Sequence, residues 1–270
     1  MAALDFGPPD RPVDLVFSHA NGFNARTYRT ILAPLAGDYR ILAVDMRGHG
    51  RSDLPTPVET RRSWDDLRAD LLAFLEAAGV DHPVVLAGHS MGATVSLLTA
   101  ASARQTARAL VLFEPVILPR GVQGVPEDSP LAQGALRRRA TFASRKEALD
   151  AYTGRGAFKT WPAEILADYV QDAFRDLPDG SVTLSATPAW EFSNFTRQAH
   201  DSLEALRRVT CPTRIFRAEH NSTCRLDPGA ANGLPNVGIE TCVGASHFLP
   251  MERPELVQTA LIEAIEGDGN

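Results

Sequence analysis

Strand-like and helix-like segments alternate up to residue 113 and again after residue 209, which predicts an α/β core with a mostly parallel central sheet flanked by helices. Between residues 116 and 208 the strand pattern vanishes and helix-like pieces replace it, predicting an inserted helical cap. The expected organisation is therefore a core of residues 1–115 and 209–270 and a helical cap of 116–208. A third observation sharpens the fold. The apolar run Val84-Val85-Leu86-Ala87 breaks at Gly88-His89-Ser90-Met91-Gly92 and continues into a helix of small residues.

Taken in order, residues 13–17 form a short apolar strand, 26–35 a helix and 39–44 the next strand. Ser63, with Asp66 three residues on, reads as a box-like helix start. Leu67, Leu71, Phe74, Leu75 and Ala78 share the buried face of that helix, and Gly79 stops it. A strand over 84–87, a helix over 91–101 and a strand over 109–113 continue the alternation. In the cap, helices are expected over 131–141, 144–152, 162–177 and 202–208. Ser144 and Glu147 have capping-box spacing, and Pro162 suits a first turn. Strands over 213–217 and 238–243 follow, then a last helix over 254–265 carrying Leu256, Val257, Ala260, Leu261 and Ile265.

Composition bounds the function. With 270 residues and 44% hydrophobic content there is ample material for a core, and a net charge of −6 gives no basic footprint for nucleic acid. No stretch approaches the ~18 apolar residues of a membrane span. The start Met1-Ala2-Ala3-Leu4-Asp5 lacks a basic region followed by a long apolar one, so a cytoplasmic location is expected. Three cysteines without metal-type spacing, Cys211, Cys224 and Cys242, read as reduced thiols. Neither metal nor cofactor is expected, because no metal cluster, phosphate loop or dinucleotide fingerprint is present. The expected partner is a small-molecule substrate, with a homo-oligomer left open.

The glycine-flanked serine carries the chemistry. Any side chain at Gly88 or Gly92 would collide with the neighbouring strand or helix, and the sharp turn holds Ser90 Oγ at the carboxyl edge of the sheet. The helix from Met91 aims its free amides and dipole at the same spot, favouring a developing negative charge. A serine alcohol needs a base. His247 is the candidate among seven histidines, in the loop Gly244-Ala245-Ser246 between the 238–243 strand and the final helix. His89 reads as a packing residue, and His82 and His200 read as solvated.

Four segments now combine: Ser18-His19-Ala20-Asn21-Gly22-Phe23, Asp45-Met46-Arg47-Gly48-His49-Gly50-Arg51-Ser52, Gly88 to Gly92, and Gly244-Ala245-Ser246-His247-Phe248. Over nearly the whole chain this set resembles the α/β-hydrolase fold superfamily. The resemblance implies the fold and a nucleophile–acid–base order, but leaves reaction and substrate open. Ser90 stands where epoxide hydrolases and dehalogenases have an aspartate, which sets the chain apart from those two. The resemblance makes His247 the base and His49 a structural loop residue. It places Asn221 where most members have the acid, and Glu114, closing the strand 109–113, at an alternative acid position used by some relatives. The expected triad is Ser90, Glu114 and His247, with Glu219 and Asp227 in reserve. The other reading of Glu114 is a carboxylate exposed at the core–cap junction.

The resemblance further implies an oxyanion hole from the Met91 amide and an amide of the loop 20–23. Alignment favours Asn21, with Gly22 and Phe23 still open, and the Asn21 side chain could instead make an Asx turn. Phe23, Trp161, Trp190 and Phe248 are the leading candidates to line an apolar substrate pocket, with Phe174, Phe192, Phe195 and Leu249 as further ones. Plain packing is the competing reading for each. Arg26 is expected on a solvated helix face, with a substrate carboxylate as its alternative partner. The functional expectation is a serine hydrolase that cleaves a small to medium carboxylic ester through an acyl-enzyme at Ser90. A C–C bond hydrolase or lactonase is the enzymatic alternative, and a ligand-binding α/β-hydrolase-like protein the non-enzymatic one.

Overall fold

The structure, a computed structural model, describes residues 1–226 and 228–267. A seven-stranded sheet forms its centre, with strands β1 (Ala2–Phe6), β2 (Leu15–Ser18), β3 (Ile41–Asp45), β4 (Val84–His89), β5 (Ala107–Phe113), β9 (Thr213–Ala218) and β10 (Val237–Cys242) in the order β1-β3-β2-β4-β5-β9-β10. Only β1 runs antiparallel, paired with β3. Strands β2, β3 and β4 are buried at every residue, as interior strands of a sheet covered on both faces must be.

The two-residue period of the strands divides the core. Leu15, Phe17, Ile41, Ala43, Val85, Ala87, Val111 and Phe113 face one side, where α1 (Arg29–Leu32) and the last helix, Pro254–Glu266, pack. Val16, Leu42, Val44, Val84, Leu86, Leu110 and Leu112 face the other, against α2 (Asp65–Ala77) and α3 (Met91–Ser102). Because α2 lies on one side of α3 and α8 (Ser202–Arg208) on another, α3 is buried along its length from Met91 to Ala101.

Between β5 and α8 the chain forms α4 (Pro130–Leu136), α5 (Arg145–Tyr152), α6 (Ala163–Ala173) and α7 (Pro188–Thr196). It also forms a small antiparallel sheet of β6 (Thr141–Phe142), β7 (Phe174–Asp176) and β8 (Val182–Leu184), in the order β6-β8-β7. The inserted segment is therefore helical with a sheet, and the helices expected to reach residues 141 and 177 end at Leu136 and Ala173. The chain reverses at Leu177–Ser181, where the Leu177 amide donates to the Ser181 carbonyl, and pairs back on itself. Expected within the cap, α8 instead packs on α3, with Ala205 and Leu206 in the core beneath it. Two further elements were not anticipated. The strand β1 is a half-exposed edge strand, and α7 is capped by the Thr187 side chain with Pro188 in its first turn.

Two other local expectations change. Ser63 bonds Asp65 instead of closing a capping box, and α2 begins at Asp65. The expected helix 26–35 is a 3₁₀ turn Ala25–Tyr28, α1 and a second 3₁₀ turn Ala33–Leu35, started by a capping box of Asn24 and Thr27. Arg26, expected on a solvated face, is paired: it and Arg51 both bond buried Asp172, while Arg29 and Thr30 bond Asp168. Asp168 and Asp172 lie one turn apart on α6, so one helix of the inserted segment is clamped to the core by charge. No helix among the described residues is long and apolar enough to cross a membrane.

The turn from β4 into α3 leaves no room for a side chain at either glycine. A Cβ on Gly92 would lie 2.2 Å from the Ser18 carbonyl oxygen, and one on Gly88 would lie 2.6 Å from the Gly92 carbonyl carbon. Both obstacles are backbone that cannot step aside. Gly92→Ala is therefore expected to destabilise the protein by about 3 kcal/mol, as overpacking at a rigid site does. Urea denaturation checks this, and an unshifted midpoint would contradict the packing described.

Candidate active site

Three adjacent strand ends build the site. Among the described residues the non-glycine positions with positive φ are Ser90 (54°), Glu114 (51°) and Asn221 (53°), following β4, β5 and β9. Such backbone is uncommon outside glycine and clusters where a fold holds functional geometry. At the first, the Ser90 amide donates to the Phe113 carbonyl and the Ser90 carbonyl accepts from Thr94, so the strand ends and the helix begins at one residue.

Ser90, Glu114 and His247 come together in one line. His247 Nε2 lies 3.0 Å from Ser90 Oγ, and Nδ1 lies 3.0 Å from Glu114 Oε2. A carboxylate can only accept here, so Nδ1 carries the ring proton and Nε2 presents a lone pair to the serine hydroxyl. Glu114 is fully buried, which excludes the exposed-junction reading. Its Oε1 accepts from the Ala218 amide (2.5 Å) and Ser222 Oγ (2.5 Å), and its Oε2 also accepts from the Thr223 amide (3.1 Å). Burial pushes this carboxyl upward, but the bonds from His247 and Ser222, the nearby imidazole and the Ala218 amide outweigh it and leave it below the usual range.

The residues holding Glu114 were missed by sequence reasoning. They lie in the loop after β9, the segment in which the common family pattern places the acid itself. Here that loop runs beside the chain leaving β5, through the parallel bridge Ile117–Cys224, and supplies donors. The adjacent Ser222 and Thr223 were the available signal, readable only once Glu114 is taken as the acid. Glu219 takes the amide of Gly244 and stands beside exposed His220, whereas Asp227 lies outside the described residues.

His247 is also fixed through its backbone. Its carbonyl accepts from His89 Nε2 (2.8 Å), whose Nδ1 accepts from the Tyr28 hydroxyl (2.8 Å), which in turn accepts from the Ala20 amide (3.2 Å). Burial and the neighbouring His247 push His89 down to about 3, so it stays neutral and can serve as donor and acceptor at once. Glu252 holds the preceding residue from below, accepting from the Ser246 amide and hydroxyl.

In the loop 20–23 most amides are spent. Ala20 donates to Tyr28, Gly22 to His49 Nε2 and Phe23 to the Ala20 carbonyl. The Asn21 amide has no partner among the described residues, and neither does the Met91 amide. The Asn21 side chain makes no Asx turn. Its amide donates to the Glu191 carbonyl and its oxygen accepts from Asn194, both on α7.

Of the proposed pocket residues, Phe23, Trp161 and Phe248 pack together beside the triad. Phe23 meets Trp161 at 4.9 Å and Phe248 at 6.3 Å between ring centroids, and Phe248 is 5.9 Å from the His247 ring. Trp190 is elsewhere. Fully buried in the opposite core, it donates to the Arg47 carbonyl and lies 4.1 Å under the Arg61 guanidinium, so it anchors α7 to the core. His200 likewise departs from expectation: it stacks on Trp64 instead of standing in water, and burial lowers it to about 4.

The model of the alpha/beta hydrolase family matches residues 15–259. The chain belongs to the alpha/beta hydrolase family. This alpha/beta hydrolase is 25% identical to 2-(acetamidomethylene)succinate hydrolase of Mesorhizobium japonicum over 258 residues, covering 93% of this chain and 87% of that protein. A non-heme chloroperoxidase of Burkholderia pyrrocinia is also 25% identical, with 97% and 94% covered. The crystal structure of E-2-(acetamidomethylene)succinate hydrolase superposes with a TM-score of 0.80 at 23% identity, over 98% of this chain and 94% of that one, and shows the shared fold.

The two carboxylates can be separated by experiment. Glu114→Gln is expected to lower kcat by about 10³- to 10⁴-fold, the loss that follows when a triad acid becomes an amide. Glu219→Gln should leave kcat near its native value. Steady-state kinetics on any turned-over substrate checks both, and equal losses would contradict the geometry.

Proposed function

We propose that this alpha/beta hydrolase is a serine hydrolase that cleaves a carboxylic ester of a small to medium molecule through an acyl-enzyme at Ser90. The observation carrying this reading is the continuous relay from Ser90 through His247 to Glu114 beside two unspent amides. His247 Nε2 takes the hydroxyl proton as Ser90 Oγ attacks the ester carbonyl. The amides of Asn21 and Met91 hold the oxyanion, a term worth about 3 kcal/mol per donor. Glu114 stabilises the imidazolium without taking its proton. His247 then gives that proton to the leaving alcohol as the C–O bond breaks, and water, deprotonated by the same nitrogen, releases the acid and restores Ser90.

The surroundings support a small substrate. Trp161 of the inserted segment packs with Phe23 and Phe248 of the core loops beside the triad, and Ser90 is only 7% exposed, an arrangement suited to a small molecule. A relative along most of the chain, named for a substituted succinate, points to the same size class.

Labelling with a fluorophosphonate tests the reading, because the probe reacts with a serine activated by a base beside a working oxyanion hole. Intact mass should show one probe per chain in the wild type, none in Ser90→Ala and strongly slowed uptake in His247→Gln. Absence of labelling in folded wild type, or labelling that survives Ser90→Ala, would overturn it.

A further inference from the structure

We infer that the acyl group taken by this site carries a carboxylate, received by Trp161, Tyr169 and Arg138 of the inserted segment. The inference rests on the reading of Ser90 as nucleophile and adds the chemistry of its substrate. Its starting point is an imbalance of hydrogen-bond donors in the wall facing the triad.

Trp161 is 7% exposed, and its indole N–H has no hydrogen-bond partner. Tryptophan is a donor only, and a buried donor left unpaired is unfavourable, so folded proteins seldom retain one without a use for it. The ring is seated where a substrate acyl chain would pass: edge-on to Phe23 of the oxyanion loop and 5.8 Å from Phe248, the neighbour of His247.

The same aromatic wall leads to Arg138. Trp161 meets Phe158 at 5.0 Å, Phe158 meets Tyr169 at 5.1 Å, and Tyr169 meets Phe23 at 5.9 Å. Arg138 donates to the hydroxyls of Tyr169 (2.5 Å) and Tyr152 (3.3 Å) and to Glu191 Oε2 (2.9 Å). The arginine occupies lone pairs of both phenols, so each phenol keeps its own proton to donate, and neither proton has an acceptor among the described residues. Tyr169 has no access to water to make up the deficit. Glu191 is the one carboxylate in the cluster, and it is held at the oxyanion loop, where a Cβ on Gly22 would lie 2.9 Å from its Oε1. With Arg138 satisfied by Glu191 and the two phenol oxygens, an indole N–H and two phenol protons are left without an acceptor among the described residues.

A carboxylate supplies what is missing. Its two oxygens offer about four acceptor positions for the indole and phenol protons, and Arg138, shared with Glu191, polarises those phenols as donors. A purely apolar acyl chain would leave the indole N–H and the phenol protons unpaired.

The test uses para-nitrophenyl monoesters of dicarboxylic acids of increasing chain length, each paired with its primary-amide counterpart. At the best-fitting length the acid should exceed the amide in kcat/KM by about tenfold, the worth of one hydrogen bond to a charged group. Trp161→Phe keeps the aromatic packing and removes the unpaired donor. It should cut that preference while leaving Tm unchanged or raised, a pairing that a merely structural tryptophan would not give. Arg138→Lys should also cut the preference, while inhibitory acids lose affinity more than their amides do. Amides turned over as well as acids at every length, or a preference untouched by Trp161→Phe, would overturn the inference while fluorophosphonate labelling of Ser90 still stood. Failure of labelling would instead remove the serine-hydrolase reading beneath it.

Discussion

A carboxylate with no access to water sits at the end of a central strand, and much of the local structure exists to keep it charged. Glu114 leaves β5 with a positive φ, and its two oxygens receive four donors: two backbone amides, one hydroxyl and one imidazole. An isolated carboxylate in such a place would take up a proton. The donors prevent this, and the same bonds carry structural information outward. They fix the loop after β9 against the chain leaving β5, and they fix the tautomer of His247 so that a lone pair faces Ser90.

Around that charge the protein uses neutral histidines as connectors. His89 joins the carbonyl of His247 to Tyr28 and so to the loop 20–23. His49 takes the Gly22 amide, and His19 takes the Met46 amide while bonding the Ala20 carbonyl. Burial lowers all three, which lets each ring accept with one nitrogen and donate with the other. The loop is therefore shaped by neutral rings. Its Asn21 side chain reaches across to α7, so the inserted segment and this loop are held by the same bonds.

The core architecture was legible because burial leaves a periodic trace. Strands β2 to β5 are apolar on both faces, and the glycines around Ser90 are demanded by contacts with backbone only a few ångströms away. Ser90 and His247 sit in short local patterns, and Glu114 stands out as a charge ending an apolar strand. What was not legible is cooperative and distant. Ser222 and Thr223 are over one hundred residues from the carboxylate they bond, and nothing local marks them as its donors. Trp190 looked like a pocket residue because an aromatic in an insertion has two possible homes, and only the position of Arg61 and the Arg47 carbonyl decides between them. The strand β1 escaped because an edge strand buries one face weakly, and the small sheet because its strands are two or three residues long. The Thr187-Pro188 start of α7 is a local cap-and-proline pattern, legible without any distant contact.

The central claim is that Glu114, and no other carboxylate, holds the proton-bearing nitrogen of His247. Proton NMR of the free enzyme tests it most directly, since an imidazole N–H bonded to a buried carboxylate resonates far downfield of ordinary amides. A single such resonance is predicted in the wild type, lost in His247→Gln, shifted strongly upfield in Glu114→Gln and unmoved in Glu219→Gln. A resonance that persists unchanged in Glu114→Gln would contradict the account.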